Sequence, residues 1–239
     1  MDKVFKVFVD FDGTISREDI GDALFTKFGH TETVKKVIDN LLNDRISAKE
    51  CWLRLCESVS YIDKQELDDF ILQIDIDETF HSLVEYCDQN KIRLFILSDG
   101  FDYYIDLILK RENLGHLKVF ANKLKLNENN TLTPVFPYFD SGCTTSANCK
   151  RNHIINNSSD DEFTVFIGDG NSDKYTVHFC DFIFAKDDLL KYCEKERITF
   201  FPFNNFNDVI DRMETLRQRK RLRKRHQAEL KRREIYIQE

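Results

Sequence analysis

The sequence has no apolar run that approaches the length of a membrane span, and its first residues lack the basic segment, apolar stretch and cleavage site of an export signal. It also lacks an even, regularly spaced set of cysteines. Seven thiols at irregular spacings fit a reduced protein better than a disulfide framework. No internal repeat and no low-complexity linker precede the C-terminal region. These absences argue against a membrane protein and a disulfide-stapled domain, and they point to the cytoplasm. What remains is a chain of 239 residues, 41% hydrophobic and 32% charged, long enough for one ordinary domain or for a core with a smaller inserted cap.

Three apolar runs of strand length end in small and acidic residues. The first spans Val4 to Val9 and runs into "DFDGT"; the second, "IRLFILSDG", covers Ile92 to Gly100; the third, "FTVFIGDGNSD", covers Phe163 to Asp173. "DFIFA" (Asp181 to Ala185) and "ITFFPF" (Ile198 to Phe203) predict two more short strands. Residues 17 to 90 carry apolar positions spaced by three and four and predict a helical block, and a further helix is expected from Asp102 to Lys110. "KVFANKLKLNENNTLTPVFPYF" alternates and contains Asn-Asn and two prolines, which predicts a strand followed by a small hairpin excursion. Near-continuous apolar strands alternating with helices imply an α/β fold with a parallel sheet covered on both faces. The helical block between the first two strands is too long for a crossover and reads as an inserted cap. The expected division is a core of 1–15 and 80–215, a helical cap of 16–79, and a basic helical tail of 216–239.

In open α/β sheets, ligands bind outside the carboxyl ends of the strands. That places Asp10, Asp12, Asp169 and Asp173 near one another, with Ser98 close by. Clustered carboxylates persist only if a proton or a hard cation neutralises them. Oxygen ligands with no His in these motifs favour Mg2+ over zinc. Singly, "SDG" and "GDGN" are ordinary turn chemistry, and "DFDGT" reads equally as a strand end with Thr14 or Ser16 capping the next helix.

Together and in order, "DFDGT", the Ser of "LSDG", a Lys before the third strand and "GDGNSD" resemble the haloacid dehalogenase (HAD) superfamily of phosphohydrolases. The matching Lys is Lys150 in "NCKRNHI". The resemblance implies a Rossmann-like fold and an aspartyl-phosphate mechanism. In it Asp10 is the nucleophile and Asp12 the general acid and base. Mg2+ is held by Asp10, the Asp12 carbonyl and Asp169, with Asp173 orienting its waters. The phosphoryl oxygens are held by Ser98, Asp99, Gly100, Lys150, Gly13 and Thr14.

The position of the cap resembles the phosphoserine-phosphatase-like branch. Within it, "GCTTSANCKRNHI" and "FAKDDLLKYCEKERITFFPFNNFNDV" resemble the methionine-salvage phosphatases acting on 2-hydroxy-3-keto-5-methylthiopentenyl-1-phosphate. That group's second motif commonly reads Ser-Gly-Gly, where this chain has Ser98-Asp99-Gly100, and its lysine segment is richer in cysteine. Phosphoserine phosphatases carry a Glu early in the cap; Asp19 occupies that position here, beside Glu18, with Arg54 as a partner for a substrate carboxylate. Both acids read equally as first-turn charges that complement a helix dipole. Phe101 and Tyr103 complete the specificity candidates. Cys143 and Cys149 fit buried thiols better than a zinc pair, and His153 is given no role.

From Arg217 to Arg233 the chain holds ten Lys or Arg and one Glu, against a net charge of -7 for the whole. The tail reads as a solvent-exposed helix, or as an anion-binding arm for nucleic acid, a membrane surface or the protein's own acidic body. It has few interleaved aromatics and no sequence-reading motif, which argues against specific nucleic-acid recognition. The expected partner is a small phosphorylated metabolite. A phosphatase is the leading class; a phosphotransferase or mutase sharing the intermediate, and a non-catalytic scaffold using the tail, are the alternatives. The presence of Asp12 argues against the scaffold.

Overall fold

A computed structural model describes residues 3–143 and 146–238; Thr144 and Thr145, inside the cysteine-bearing stretch quoted above, lie outside the described residues. In chain order the elements are β1 (Phe5–Asp10), α1 (Ile20–Phe28), α2 (Thr31–Leu42), α3 (Ala48–Glu57), α4 (Lys64–Ile71), α5 (Thr79–Gln89), β2 (Arg93–Phe101), α6 (Asp102–Arg111), β3 (Lys118–Leu126) and β4 (Leu132–Val135). They continue with α7 (Lys150–Asn156), β5 (Phe163–Gly168), β6 (Phe182–Ala185), α8 (Asp187–Lys195), β7 (Phe201–Pro202), α9 (Phe206–Gln218) and α10 (His226–Gln238). No described helix is long and apolar enough to cross a membrane. The chain divides into two compact units, one of residues 1–15, 76–97 and 150–239, the other of residues 16–75 and 98–149.

The first unit holds a parallel sheet centred on β1. Its pairing with β2 runs from Lys6 opposite Arg93 to Asp10 opposite Leu97, and with β5 from Phe5 opposite Phe163 to Val9 opposite Ile167. β6 pairs with β5, and β7 with β6, also in parallel. All of β1 is buried, which explains its unbroken Phe and Val composition. Burial of Val7, Phe8 and Val9 contributes about 1.5–3 kcal/mol per side chain. That outweighs the two charged residues of the strand only if they find partners. Lys6 does: its ammonium lies 3.1 Å from Glu162 and donates to the Asn157 carbonyl at 2.8 Å. The partner of Asp10 belongs to the site described below.

β7 is shorter than the expected Ile198–Phe203 strand. The amide of Ile198 bonds to the Cys193 carbonyl and so closes α8, and Pro202 has no N–H to extend a ladder.

The second unit contains α1 to α4, the end of β2, α6 and the β3–β4 hairpin. Its helices start where capping residues stand: the carboxylates of Asp19 and Asp63 and the hydroxyl of Ser47 accept from the amides of Asp22, Glu66 and Glu50. β3 and β4 pair antiparallel from Lys123 opposite Val135 to Leu126 opposite Leu132. The hairpin is the expected excursion, yet it groups with the helical insert. β4 packs against α3, α6 packs against α4, and the Ile62 amide bonds to the Asn130 carbonyl at the hairpin tip. The division therefore differs from the expected one, in which residues 98–149 belonged to the core.

The basic tail is a helix exposed at most of its described residues, with a few positions held against the first unit. Residues 216–218 end α9, and α10 docks on the first unit through buried Ala228 and Arg232. The Arg232 guanidinium donates to the Phe179 carbonyl at 2.5 Å and to Asp181 at 3.2 Å. Asp181 in turn accepts from the amide and hydroxyl of Thr164, both at 3.0 Å. The side chain of Arg225 reaches the Val177 carbonyl. Of the anions open to the tail, its own acidic body is the one these contacts engage. Removing one member of a buried ion pair typically costs about 3–5 kcal/mol because the other charge is left without compensation. Arg232→Met is expected to lower the unfolding free energy by about 3 kcal/mol in urea titrations. Adding Asp181→Asn should cost far less than the sum of the single changes.

Candidate active site

The site lies in the first unit, where β1 and β5 end side by side. Val9 pairs with Ile167, so Asp10 ends β1 level with the start of the "GDGNSD" turn. Lys150, the first residue of α7, sends its buried ammonium into this corner. It donates to Asp10 Oδ1 at 2.6 Å, to Asp173 Oδ1 at 2.6 Å and to Ser172 Oγ at 3.0 Å. Asp10 Oδ1 also accepts the Phe11 amide at 2.8 Å, which leaves Oδ2 as the less engaged oxygen. Asp173 Oδ2 accepts the amides of Asp169 and Gly170, each at 3.2 Å, and so closes the turn that presents Asp169. Asp169 Oδ1 accepts the Thr14 hydroxyl at 2.6 Å.

Gly13 is required by this geometry. Its φ is +74°, and a Cβ there would sit 2.5 Å from Asp169 Oδ2. Gly168 is required too, since its Cβ would meet Asp173 Oδ2 at 2.4 Å.

Oxygens of Asp10, Asp169 and Asp173 lie within 4.8 Å of one another. Three carboxylates face one ammonium, and the imbalance is visible in their proton affinities. Burial, then repulsion from Asp173, raises Asp10 well above the carboxylate range despite Lys150. Burial and then Asp173 likewise lift Asp169 to about 6. Burial opposes the charge on Lys150, but Asp10 and Asp173 more than offset it and hold the ammonium above the ordinary lysine value. An all-oxygen, buried, charge-deficient corner fits a hard divalent cation.

Asp12 is half-buried in the turn after β1, two residues beyond Asp10. Thr14 and Gly13 are engaged with Asp169 as described. The remaining motif residues belong to the second unit. Ser98 is buried; its hydroxyl accepts the Gly100 amide at 2.8 Å, and its carbonyl accepts the side-chain amide of Asn148 at 2.7 Å. Asp99 Oδ1 accepts three donors: Ser146 Oγ at 2.8 Å and the amides of Ala147 and Asn148 at 2.7 Å. This carboxylate thus fastens the segment that leads into Lys150.

Phe101 is fully buried with its ring 4.9 Å from that of Trp52, and the Tyr103 hydroxyl donates to Asp68 at 2.6 Å. Asp19 caps α1, the side chain of Glu18 is exposed, and Arg54 pairs with Glu50 one helical turn away. Cys143 and Cys149 are buried thiols, and among the described residues the Asp triad is the one cluster of carboxylate, thiol or imidazole groups placed so that it could hold a cation. His153 is buried, which pushes its pKa down to about 4. Sequence reasoning missed Ser172 and Asn148. Both stand in quoted stretches, "GDGNSD" and "SANCK", next to residues that were singled out.

The profile described as haloacid dehalogenase-like hydrolase matches residues 7–177. A 2-hydroxy-3-keto-5-methylthiopentenyl-1-phosphate phosphatase of Bacillus mycoides (strain KBAB4) is 27% identical over 214 residues, covering 88% of this chain and 96% of that protein. Its counterpart in Bacillus cereus (strain ATCC 10987 / NRS 248) is 26% identical over the same length. Among solved structures, a phospho-aspartyl intermediate analogue of phosphoserine phosphatase aligns with a TM-score of 0.66 at 16% identity, covering 88% of this chain and 99% of that one. A substrate-bound phosphoserine phosphatase aligns at 0.67, also 16% identical, over 89% and 99%.

Gly13→Ala forces a side chain into left-handed backbone and against Asp169; a loss of about 1–3 kcal/mol in stability, read by thermal melting, is expected. The raised Asp169 has a consequence for pH. Without a metal, the folded protein keeps a proton that the unfolded chain, near 3.9, has already lost. The contribution of this group to stability therefore falls as pH climbs from about 4 towards about 6. A bound cation competes with that proton. The rise in melting temperature on adding Mg2+ should be small at pH 5 and full by pH 7; a rise independent of pH would exclude Asp169 as a ligand.

Proposed function

This chain belongs to the haloacid dehalogenase-like hydrolase family, and from that premise we propose that it is a Mg2+-dependent phosphomonoester hydrolase working through an aspartyl-phosphate on Asp10. The observation that carries the reading is the Lys150 ammonium joining Asp10 to Asp173 beside Asp169. Lys150 opposes the burial that raises the proton affinity of Asp10 and fixes its Oδ1, which leaves Oδ2 for the reaction. Oδ2 attacks phosphorus, the bond from phosphorus to the ester oxygen breaks, and Asp12 gives that oxygen its proton. Asp12 then takes a proton from water, whose oxygen attacks the acyl phosphate, releasing inorganic phosphate and restoring the Asp10 carboxylate.

Asp10, Asp169, the carbonyl of Asp12 and, behind them, Asp173 would hold Mg2+, which supplies positive charge opposite the transferring phosphoryl group. Gly13 and Thr14 keep Asp169 in place. Ser98, Asp99 and Gly100 keep the phosphate-holding role that their motif suggests, with Asp99 contributing backbone while its carboxylate serves the 146–148 segment.

For the substrate we infer a small phosphorylated metabolite. The named relatives favour 2-hydroxy-3-keto-5-methylthiopentenyl-1-phosphate, with phosphoserine second. Seven buried cysteines, all present as thiols, support the cytoplasm as the place of action.

The test is phosphate release from a panel of small phosphomonoesters that includes both compounds, with and without Mg2+. Wild type is expected to release inorganic phosphate only with Mg2+, and Asp10→Asn to lose about 1,000-fold or more of that rate. Transfer to an acceptor without free phosphate would replace hydrolysis by phosphotransfer. Undiminished release by Asp10→Asn would remove Asp10 as the nucleophile.

A further inference from the structure

An ammonium group has three N–H donors and no more. In Lys150 all three are taken: two by the carboxylates of Asp10 and Asp173 at 2.6 Å, and the third by the hydroxyl oxygen of Ser172 at 3.0 Å. The side chain is fully buried, so no water competes for these protons. A lysine in this state has no donor to offer an incoming phosphate.

The three bonds are unequal. Those to the carboxylates are short and charge-assisted, a kind about twice as strong as a bond between neutral groups, whereas Ser172 offers a neutral oxygen 0.4 Å farther away. The bond that gives way is therefore the one to Ser172. Ser172 is also only half-buried, on the 3-10 turn Asn171–Asp173, so its hydroxyl is less confined than the ammonium it holds.

We propose that Ser172 is a positioning residue that holds the third ammonium proton of Lys150 in the unliganded enzyme and releases it to a phosphoryl oxygen when substrate or phosphate binds. The inference rests on the phosphatase reading above and adds to it a resident competitor for the phosphate. Ser172 aims the donor before binding and weakens the grip on phosphate afterwards, because the proton has somewhere to return. Its effect is a lower affinity for the product and a faster release.

The test is calorimetric titration of inorganic phosphate, in the presence of Mg2+, into wild type and a graded series at this position. Ser172→Ala removes the acceptor and is expected to bind phosphate about 3–10-fold more tightly, the equivalent of one ordinary hydrogen bond no longer displaced. Ser172→Cys, with its weak sulfur acceptor, should fall between, and Ser172→Thr, which keeps the hydroxyl, should match wild type. A merely structural role predicts loosened, weaker binding in the Ala and Cys variants, so tightening separates the two. Unchanged or weaker phosphate binding by a folded Ser172→Ala or Ser172→Cys overturns the proposal. Failure of wild type both to bind phosphate and to release it from any ester would instead bring down the phosphatase reading, and this inference with it.

Discussion

The first unit is organised around one ion pair made twice, the buried ammonium of Lys150 between Asp10 and Asp173. Either carboxylate alone at the end of a buried parallel strand would be costly, and two would repel. With the lysine between them, β1 can end in a carboxylate that is almost wholly out of water. The same contact closes the turn after β5, because the oxygen of Asp173 that Lys150 leaves free collects two backbone amides. Fold and chemistry therefore share their most expensive group. A change at Lys150 disturbs a strand end, a turn and the carboxylate of Asp10 together.

Around that pair, side chains are arranged for what they exclude as much as for what they bond. Gly13 and Gly168 stand where any side chain would touch a carboxylate oxygen of the site. Thr14 then spends its hydroxyl on Asp169. The second unit solves a similar problem with different parts: the single oxygen of Asp99 gathers one hydroxyl and two amides from residues 146–148. In both places an acid substitutes for regular secondary structure in satisfying backbone donors that a loop would otherwise leave exposed.

Much of this was legible in the chain, for identifiable reasons. β1, β2 and β5 announce themselves because strands buried on both faces must be apolar throughout, and the acids that end them stand out against that background. Asp10, Asp169 and Asp173 come together because parallel strands deliver their ends to one edge, and the first residue of α7 brings the Lys150 ammonium to them. Where the reading stopped, the information was tertiary. The four residues of β4 carry too little pattern to say that the hairpin groups with the helical insert. The docking of α10 turns on Arg232 meeting Asp181, 51 positions earlier, and composition alone shows only a basic helix. That the Asp99 carboxylate gathers residues 146–148 has no local signal, because nothing nearby in sequence reveals which donors a carboxylate will collect.

The distances along the chain have a bearing on how the protein is made. Lys150 is 140 residues from Asp10, and Asn157, which receives Lys6, is 151 residues away. At a synthesis rate of about 5–20 residues per second, the first strand waits roughly 7–30 seconds for either partner. Until β2 is made, "FKVFVD" is an unpaired β-prone segment of the kind that seeds aggregation. Lys6 and Asp10 are then still hydrated charges near its two ends and oppose pairing with other chains. Two residues that end as buried ion-pair partners thus begin as exposed charges on the nascent strand.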